Sequence, residues 1–376
     1  MDPQTVYSEG CPELFQARRK ICTFSLARAR SRLVGADAHR PIADDRYTVE
    51  HMSLVASEIS DSRPLRACGF SHRLYHKGCN LLATCGLAGG ITLFTCTTQS
   101  MQPVMQRCSS ILGGSQLVRA TDVAFSPSNV NAEKADFLAA SYGDGTAKLW
   151  SLWEVEDHAD GGAVIRAQLQ KTFDGHSGST ATRLAFHPSA SYLATAGFDK
   201  TWRLWDVESG MQLLTQDGHS RSVYGLAFQC DGSLLASCGL DALTRLWDMR
   251  TGRSICALEG HVQAVYGVDF SPNGYHLATG SADQSSKIWD LRQQRLLYTI
   301  AAHHSLISRV KYHPLHHGSL LFTTSHDHTI KVWSGLDFKA ITVLRGHEGP
   351  VAGVDLTPNG TFLATVGHDQ SIKLWS

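Results

Sequence analysis

The amino-acid sequence predicts an all-β fold, a seven-bladed β-propeller preceded by a short α-helical extension. Three observations carry this. First, segments closing on tryptophan recur: TWRLWD at 201–206, LTRLWD at 243–248, SSKIWD at 285–290, TIKVWS at 329–334 and SIKLWS at 371–376. Their last tryptophans lie 42, 42, 44 and 42 residues apart, and a fixed period of roughly 20–50 residues marks a repeat architecture. Second, each unit holds short runs such as VYGVDFSP at 265–272 that alternate apolar and polar residues between Asn-Gly or Asp-containing turns. That is the pattern of four short antiparallel strands, which at this period make a propeller blade. Third, a His, a Thr or Ser, an Asp and a Trp recur in register in the last five units.

Taken in chain order, residues 1–50 read as an N-terminal extension and 51–376 as the propeller. Within the extension, CPELFQARRKICTFSLARARSRLVG at 11–35 predicts a helix over about 12–34. Leu14, Ala17, Ile21, Phe24, Ala27 or Arg28, and Leu33 fall near a helical period, Pro12 suits a first turn and Gly35 a stop. From Leu14 to Ala36 the segment carries Arg18, Arg19, Lys20, Arg28, Arg30 and Arg32 and no acidic residue. Basic charge at that density can neutralise phosphates. It equally suits the solvated face of a helix that docks an apolar stripe on protein, and a membrane surface is a poorer third reading.

The segment MSLVASEI at 52–59 has strand composition, and the last unit stops at Trp375-Ser376 directly after its third strand. Residues 52–59 are therefore expected to supply the missing outer strand and close the ring. The first two units depart from the pattern. Phe94 stands where a Trp is expected and Ala88 where an Asp is; the second unit keeps Asp144 and Trp150 but has Ala140 for the hydroxyl residue and no Gly-His before LVRATDVAF. These two blades are expected to rely on packing. Spacings of 56 residues from Phe94 to Trp150 and 55 from Trp150 to Trp205 read as extra loops at 129–136 and 151–170.

The five complete sets are His176, Thr195, Asp199, Trp205; His219, Ser237, Asp241, Trp247; His261, Thr279, Asp283, Trp289; His303, Thr323, Asp327, Trp333; and His347, Thr365, Asp369, Trp375. Carboxylate, imidazole, hydroxyl and indole N–H can form one hydrogen-bonded chain. The same residue types make hydrolytic triads, but an active site needs one copy whereas a brace is wanted in each blade. The fivefold recurrence therefore points to structure.

Composition sets the outer limits. A chain of 376 residues with 43% apolar content can bury a large core, and its 18% charged residues fall below the roughly 25% of soluble domains. Lys plus Arg equals Asp plus Glu at 34 each, so any basic site must be local. Ten cysteines never form C-x-x-C, which predicts buried thiols in a reducing compartment. The uncharged stretch between Lys77 and Arg107 is broken by Asn80, Thr84 and the polar run 95–100, so it is not read as a membrane span. The opening MDPQTVYSEG has neither a basic n-region nor an apolar h-region, and an intracellular protein is expected. Phosphate-cradling loops, zinc-protease helices and nucleophile elbows are missing from the sequence. No catalytic residue, metal or cofactor is expected, and His313, His316, His317, His326 and His328 read as solvated loop residues ahead of metal ligands. Arg221, Tyr224 and Tyr266 near strand starts, with Phe198, Leu240 and His326 in turns, are candidate rim contacts; packing between blades is the readier reading for the two tyrosines.

Over roughly 65–376 the units resemble the WD40 family. GHSRSVYGLAF at 218–228, PNGYHLATGSAD at 272–283, DKTWRLWD at 199–206 and SYGDGTAKLWSL at 141–152, with DSRPL at 61–65 and SLARARSRLVG at 25–35, resemble more narrowly the WD40 subunit of the U4/U6 small nuclear ribonucleoprotein, the pre-mRNA processing factor four family. The resemblance implies a nuclear, non-catalytic scaffold for pre-mRNA splicing in the U4/U6 and U4/U6.U5 tri-snRNP. It implies a companion U4/U6-specific protein and U4/U6 snRNA as partners, and no membrane. A cyclophilin partner is implied less directly, because family members usually carry a longer region before the propeller. Arg18, Arg19, Lys20, Arg28, Arg30, Arg32 and Arg221 are then candidate RNA or partner contacts. The alternative is a WD40 adaptor of another complex, such as a ubiquitin-ligase substrate receptor.

Overall fold

In a computed structural model, the structure describes residues 12–34, 52–75, 79–97, 104–112, 118–127, 136–156, 163–176, 178–315 and 318–376. The alternating runs become strands of 5 to 12 residues, which assemble into seven four-stranded antiparallel sheets. Blades 1 to 6 follow the chain at 65–112, 120–174, 181–216, 223–258, 265–301 and 307–345. Blade 7 combines 351–375 with a strand from far upstream. Leu54–Ile59 lies antiparallel to Ser371–Trp375, with Leu54 opposite Trp375 and Ile59 opposite Ser371. Just beyond, Ser53 N–H donates to the Ser376 carbonyl at 2.9 Å and Ser376 N–H to Ser53 at 3.2 Å. The first described strand and the last thereby share one sheet, and the seven innermost strands neighbour one another around the whole ring. The propeller expected from the repeats is the fold observed.

A sheet with two apolar faces must cover both. Each seam between blades accordingly holds its own buried cluster, seven in all. Polar latches cross the seams as well. Carboxylates on three inner strands accept backbone N–H groups from the next blade: Asp122 from Leu184 at 3.1 Å, Asp269 from Tyr312 at 2.8 Å and Asp355 from Phe70 at 2.8 Å. At the opposite ends of the strands, His187 Nε2 lies 3.1 Å from the Gly232 carbonyl and Gln229 donates to Gly274 at 2.7 Å.

Two expectations are corrected. Of residues 151–170, 151–156 and 163–170 are strand and not loop, because Thr146–Glu156 and Ala163–Asp174 pair as one long hairpin, Glu156 opposite Ala163, while 157–162 lie outside the described residues. Ile165, Ala167 and Leu169 alternate with Arg166, Gln168 and Gln170, a period-two signal that the spacing argument overrode. Of 129–136, Asp136 opens the strand Asp136–Tyr142, and the rest lies outside the described residues. His313 is not solvated either: it is 7% exposed beneath blade 6, its Nδ1 accepting the Leu315 N–H at 3.3 Å. His316 and His317 lie outside the described residues. Within the uncharged stretch, Cys79–Gly86 and Gly90–Thr97 are strands and Val104 opens another, and among the described residues no helix is long and apolar enough to cross a membrane.

Pro12–Val34 is the helix. It buries Leu14, Ala17 and Ile21 among Tyr192, Trp202, Leu213, Trp247 and Met249 at the seam of blades 3 and 4. Tyr192 donates its hydroxyl to the Ala17 carbonyl at 3.4 Å, and Ser25 donates to the Asp231 carbonyl at 2.8 Å.

Candidate functional site

The five recurrent sets each come together within one blade. In blade 5, His261 Nδ1 lies 2.7 Å from the Asp283 carboxylate and Nε2 lies 2.8 Å from Thr279 Oγ1, which accepts the Trp289 indole N–H at 3.0 Å. The other four repeat this geometry: His176 with Asp199 and Thr195 at 2.9 Å each, His219 with Asp241 and Ser237 at 2.9 and 2.8 Å, His303 with Asp327 and Thr323 at 2.8 Å each, His347 with Asp369 and Thr365 at 2.8 and 2.9 Å. Trp205, Trp247, Trp333 and Trp375 donate to the respective hydroxyls at 2.8–2.9 Å. The Asp sits in the turn between the second and third strands, the His before the first, so the chain ties the blade's entry to its middle. The glycines at the corners are sterically required: a Cβ on Gly175 would stand 2.6 Å from the Trp205 ring, and one on Gly197 2.3 Å from His176 Nδ1.

Burial alone would raise these carboxyls. For Asp199 the hydrogen bond and charge of His176, with the N–H and hydroxyl of Thr201, outweigh it and hold the group at about 2. Asp327 is held at about 2 against the same desolvation by Thr329, His303 and His304 N–H. Asp241, Asp283 and Asp369 are lowered in the same way by their own histidines. Each hydroxyl is 1% exposed or less and already accepts an indole N–H. An imidazole stands beside it as a base would, but the hydroxyl is shut away from solvent and lacks the free approach that a nucleophile needs.

At the turn-bearing face, the inner strands open into a funnel of about 380 Å³ over the central channel. The second residue of every inner strand lines it: Arg66, Thr121, Thr182, Tyr224, Tyr266, Ser308 and Ala352. Arg119, Arg183, Phe198, His326 and His368 join them. Tyr224 of blade 4 and Tyr266 of blade 5 meet edge to face at 4.8 Å, the packing between blades that was expected of them, and being half-buried they also line the mouth. Phe198 and His326 also line the funnel, whereas Arg221 is exposed outside it and Leu240 is half-buried in its turn. Beneath the mouth Asp122, 2% exposed, pairs with Arg183 at 3.3 Å and with Arg309.

The basic helix lies at the other ends of the strands, so the candidate contacts do not form one site. Arg19, Lys20 and Arg28 are exposed, Arg28 lying 5.5 Å over the Phe24 ring, which in turn tilts against His187 at 5.6 Å. Arg18 is half-buried against the blade 4 turn, where a Cβ on Gly252 would come within 2.5 Å of its Nη2. The side chains of Arg30 and Arg32 lie outside the described residues.

Against known families, the model described as "WD domain, G-beta repeat" matches 167–206, 210–248, 252–290, 294–334 and 338–376, more than half the chain. The chain belongs to the WD40 family. Among curated relatives, "U4/U6 small nuclear ribonucleoprotein PRP4-like protein" of Arabidopsis thaliana is 45% identical over 153 residues, 38% of this chain and 24% of that protein. "U4/U6 small nuclear ribonucleoprotein PRP4" of Saccharomyces cerevisiae is 30% identical over 227 residues, 58% of this chain and 43% of that protein. A shorter match, 43% over 56 residues, joins it to the "Flagellar WD repeat-containing protein Pf20" of Chlamydomonas reinhardtii. The matched parts span less than half the length of each of these relatives. The resemblance of this WD40 chain to the PRP4-type U4/U6 subunits, first seen in its repeats, holds.

Two features of this WD40 propeller escaped sequence reading. In blade 1, Ser60 and Thr84 share a hydrogen bond of 3.2 Å where a His and a hydroxyl would otherwise meet. The funnel residues Arg66, Arg119, Arg183 and His368 were also missed. The signal that finds Arg66 is its place as second residue of an inner strand, in register with Tyr224 and Tyr266.

Proposed function

We propose that this WD40 chain is a non-catalytic scaffold subunit of the U4/U6 and U4/U6.U5 tri-snRNP in the nucleus, binding a companion U4/U6 protein and lying near U4/U6 snRNA. The carrying observation is the pair of matches to U4/U6 ribonucleoprotein chains of a plant and a yeast. The basic helix supports it: the apolar stripe is spent on the propeller, leaving Arg19, Lys20 and Arg28 facing outward as phosphate or partner contacts. The non-catalytic part of the reading draws on the buried hydroxyls of the five sets. A cyclophilin is a further partner under this reading.

The test is affinity capture of the tagged chain from nuclear extract. Enrichment of U4 and U6 RNA is the expected result; enrichment of a cullin with its adaptor instead would assign the chain to a ubiquitin ligase. Changing Arg19, Lys20 and Arg28 together to Gln should weaken retention and flatten its salt dependence, because every phosphate that a cation neutralises adds about 0.7–0.9 to the slope of log affinity against log salt. Retention unchanged at every salt concentration would assign those three residues to solvent.

A further inference from the structure

The funnel is built for negative charge. Its lining includes Arg66, Arg119 and Arg183 with His326 and His368, and, among the described residues, no carboxylate. The acids close by are already engaged: Asp122 beneath it by Arg183 and Arg309, and Asp327 and Asp369, which follow His326 and His368, by His303 and His347. Among the described residues Arg66 makes no ion pair with a carboxylate: it reaches across the mouth from blade 1 to donate to the Tyr224 hydroxyl at 3.4 Å. Arg183 lies 5.9 Å over the same ring, so two guanidiniums converge on one phenol. Arg119 donates to Thr180 Oγ1 at 3.2 Å, again a neutral partner. Arg183 shares the single carboxylate of Asp122 with Arg309, so with Arg66 three guanidiniums meet one counter-charge; like charges in excess repel, and an incoming anion relieves that repulsion.

The shape selects the class of anion. A nucleic-acid strand is bound by cations spread along the path of its phosphates, whereas Arg66, Arg183, His326 and His368 gather around the mouth of one small concavity. Beside them stands the wall of Tyr224 and Tyr266, a surface for an apolar or aromatic side chain. We propose that the funnel receives an acidic protein segment, one carboxylate seated between Arg66, His326 and His368 and an apolar neighbour resting on the two tyrosines. This rests on the scaffold reading above and supplies its partner class on the face opposite the basic helix.

The histidines add a signature. His326 and His368 meet at 5.6 Å. Burial lowers His326 first, followed by the charges of His368, Arg66 and His328; burial and Arg66 lower His368, against the attraction of Asp369. A bound carboxylate favours their protonated forms, so binding takes up protons and tightens as pH falls toward 6.

The experiment is fluorescence anisotropy of the whole chain with a fluorescein-labelled peptide of alternating glutamate and tryptophan, its glutamine counterpart, and decauridylate. The acidic peptide should bind about tenfold more tightly than the glutamine one, and Arg66→Gln should remove about the same factor, as expected for one charge-assisted hydrogen-bonded pair. Binding should strengthen as pH falls from about 8 to 6, and the His326→Gln/His368→Gln double variant should abolish that trend. Should Arg66→Gln melt early, Arg119→Gln at the rim and the two-peptide comparison carry the test. Equal binding of the two peptides, binding indifferent to Arg66 and Arg119, or tighter Arg66-dependent binding of decauridylate would overturn the proposal. Capture of U4 and U6 RNA by the unaltered chain is scored separately, so failure of the peptide result leaves the splicing reading standing, and the reverse.

Discussion

Blades 3 to 7 and blades 1 and 2 solve the same corner differently. In every blade the residue following the Asp position of the turn has a left-handed backbone. In blades 3 to 7 it is Lys200, Ala242, Gln284, His328 or Gln370, with φ between 64° and 68°; in blades 1 and 2 it is Gly89 or Gly145, at 84° and 89°. That conformation costs a residue with a Cβ on the order of 1–2 kcal/mol and glycine almost nothing. In blade 5 the cost is offset by Asp283, whose Oδ1 accepts the Ser285 N–H at 3.0 Å while Oδ2 holds His261 at 2.7 Å. Blade 2 keeps half of this, Asp144 accepting the Thr146 N–H at 2.9 Å with no histidine behind it; blade 1 keeps none. Both lean on apolar cores instead, Phe94 fully buried between blades 7 and 1 and Tyr142 against Trp150 between blades 1 and 2. The family model matches the five braced units and passes over these two. A polar brace frees a turn to carry any residue, and where it is missing the chain returns to glycine and packing.

The comparison can be broken at several points. Deleting residues 51–60 has the largest expected effect, since Ser371–Trp375 loses its outer neighbour and becomes an open edge; size-exclusion chromatography should show aggregates, and a soluble monomer of unchanged melting temperature would contradict the closure. Next, Asp283→Ala should cost about 3 kcal/mol by stranding a buried imidazole, several degrees in a thermal melt. Asp144→Ala, which only loosens a turn, should cost about 1 kcal/mol. Equal losses would erase the distinction between the two kinds of blade.

Acid should separate them too. Asp199 and Asp327, near 2 in the folded chain against about 3.9 when unfolded, add stability that is present above about pH 4 and lost as pH falls toward 2. His187, which burial presses down to about 4, and His303, lowered by burial against the pull of Asp327, act in the same sense below about 6.5. Denaturant melts from pH 7 to 2 should therefore lose stability continuously, with a shallower low-pH limb in Asp327→Ala. An unchanged limb would remove that carboxylate from the account. The smallest effect is expected for Gln284→Gly, where relieved backbone cost and added unfolded-state entropy nearly cancel, leaving a change under about 1 kcal/mol. A loss of several kcal/mol there would show that the turn is held by the side chain of Gln284.

The propeller was legible because its signals are local: the tryptophan period, the alternation of each run, and four polar or aromatic residues recurring in register. What escaped is nonlocal. Arg66 and Tyr224 meet across the mouth although 158 positions separate them, and no spacing rule reports that two strand starts face one channel. The hairpin of blade 2 was hidden for another reason, since its alternation continues past Trp150, where the repeat length led one to expect the blade to turn. For the helix, Leu14, Ala17 and Ile21 announced a docking stripe, but only the fold names the surface, the seam of blades 3 and 4.

The most direct test of the bracing is a double-mutant cycle on His261→Ala and Asp283→Ala in blade 5, read by equilibrium unfolding. If the two groups act as one hydrogen-bonded unit, the double variant should be little less stable than either single variant, with a coupling of about 1–3 kcal/mol. Losses that simply add, or two singles that melt with the parent, would mean that the residues are neighbours without being a brace.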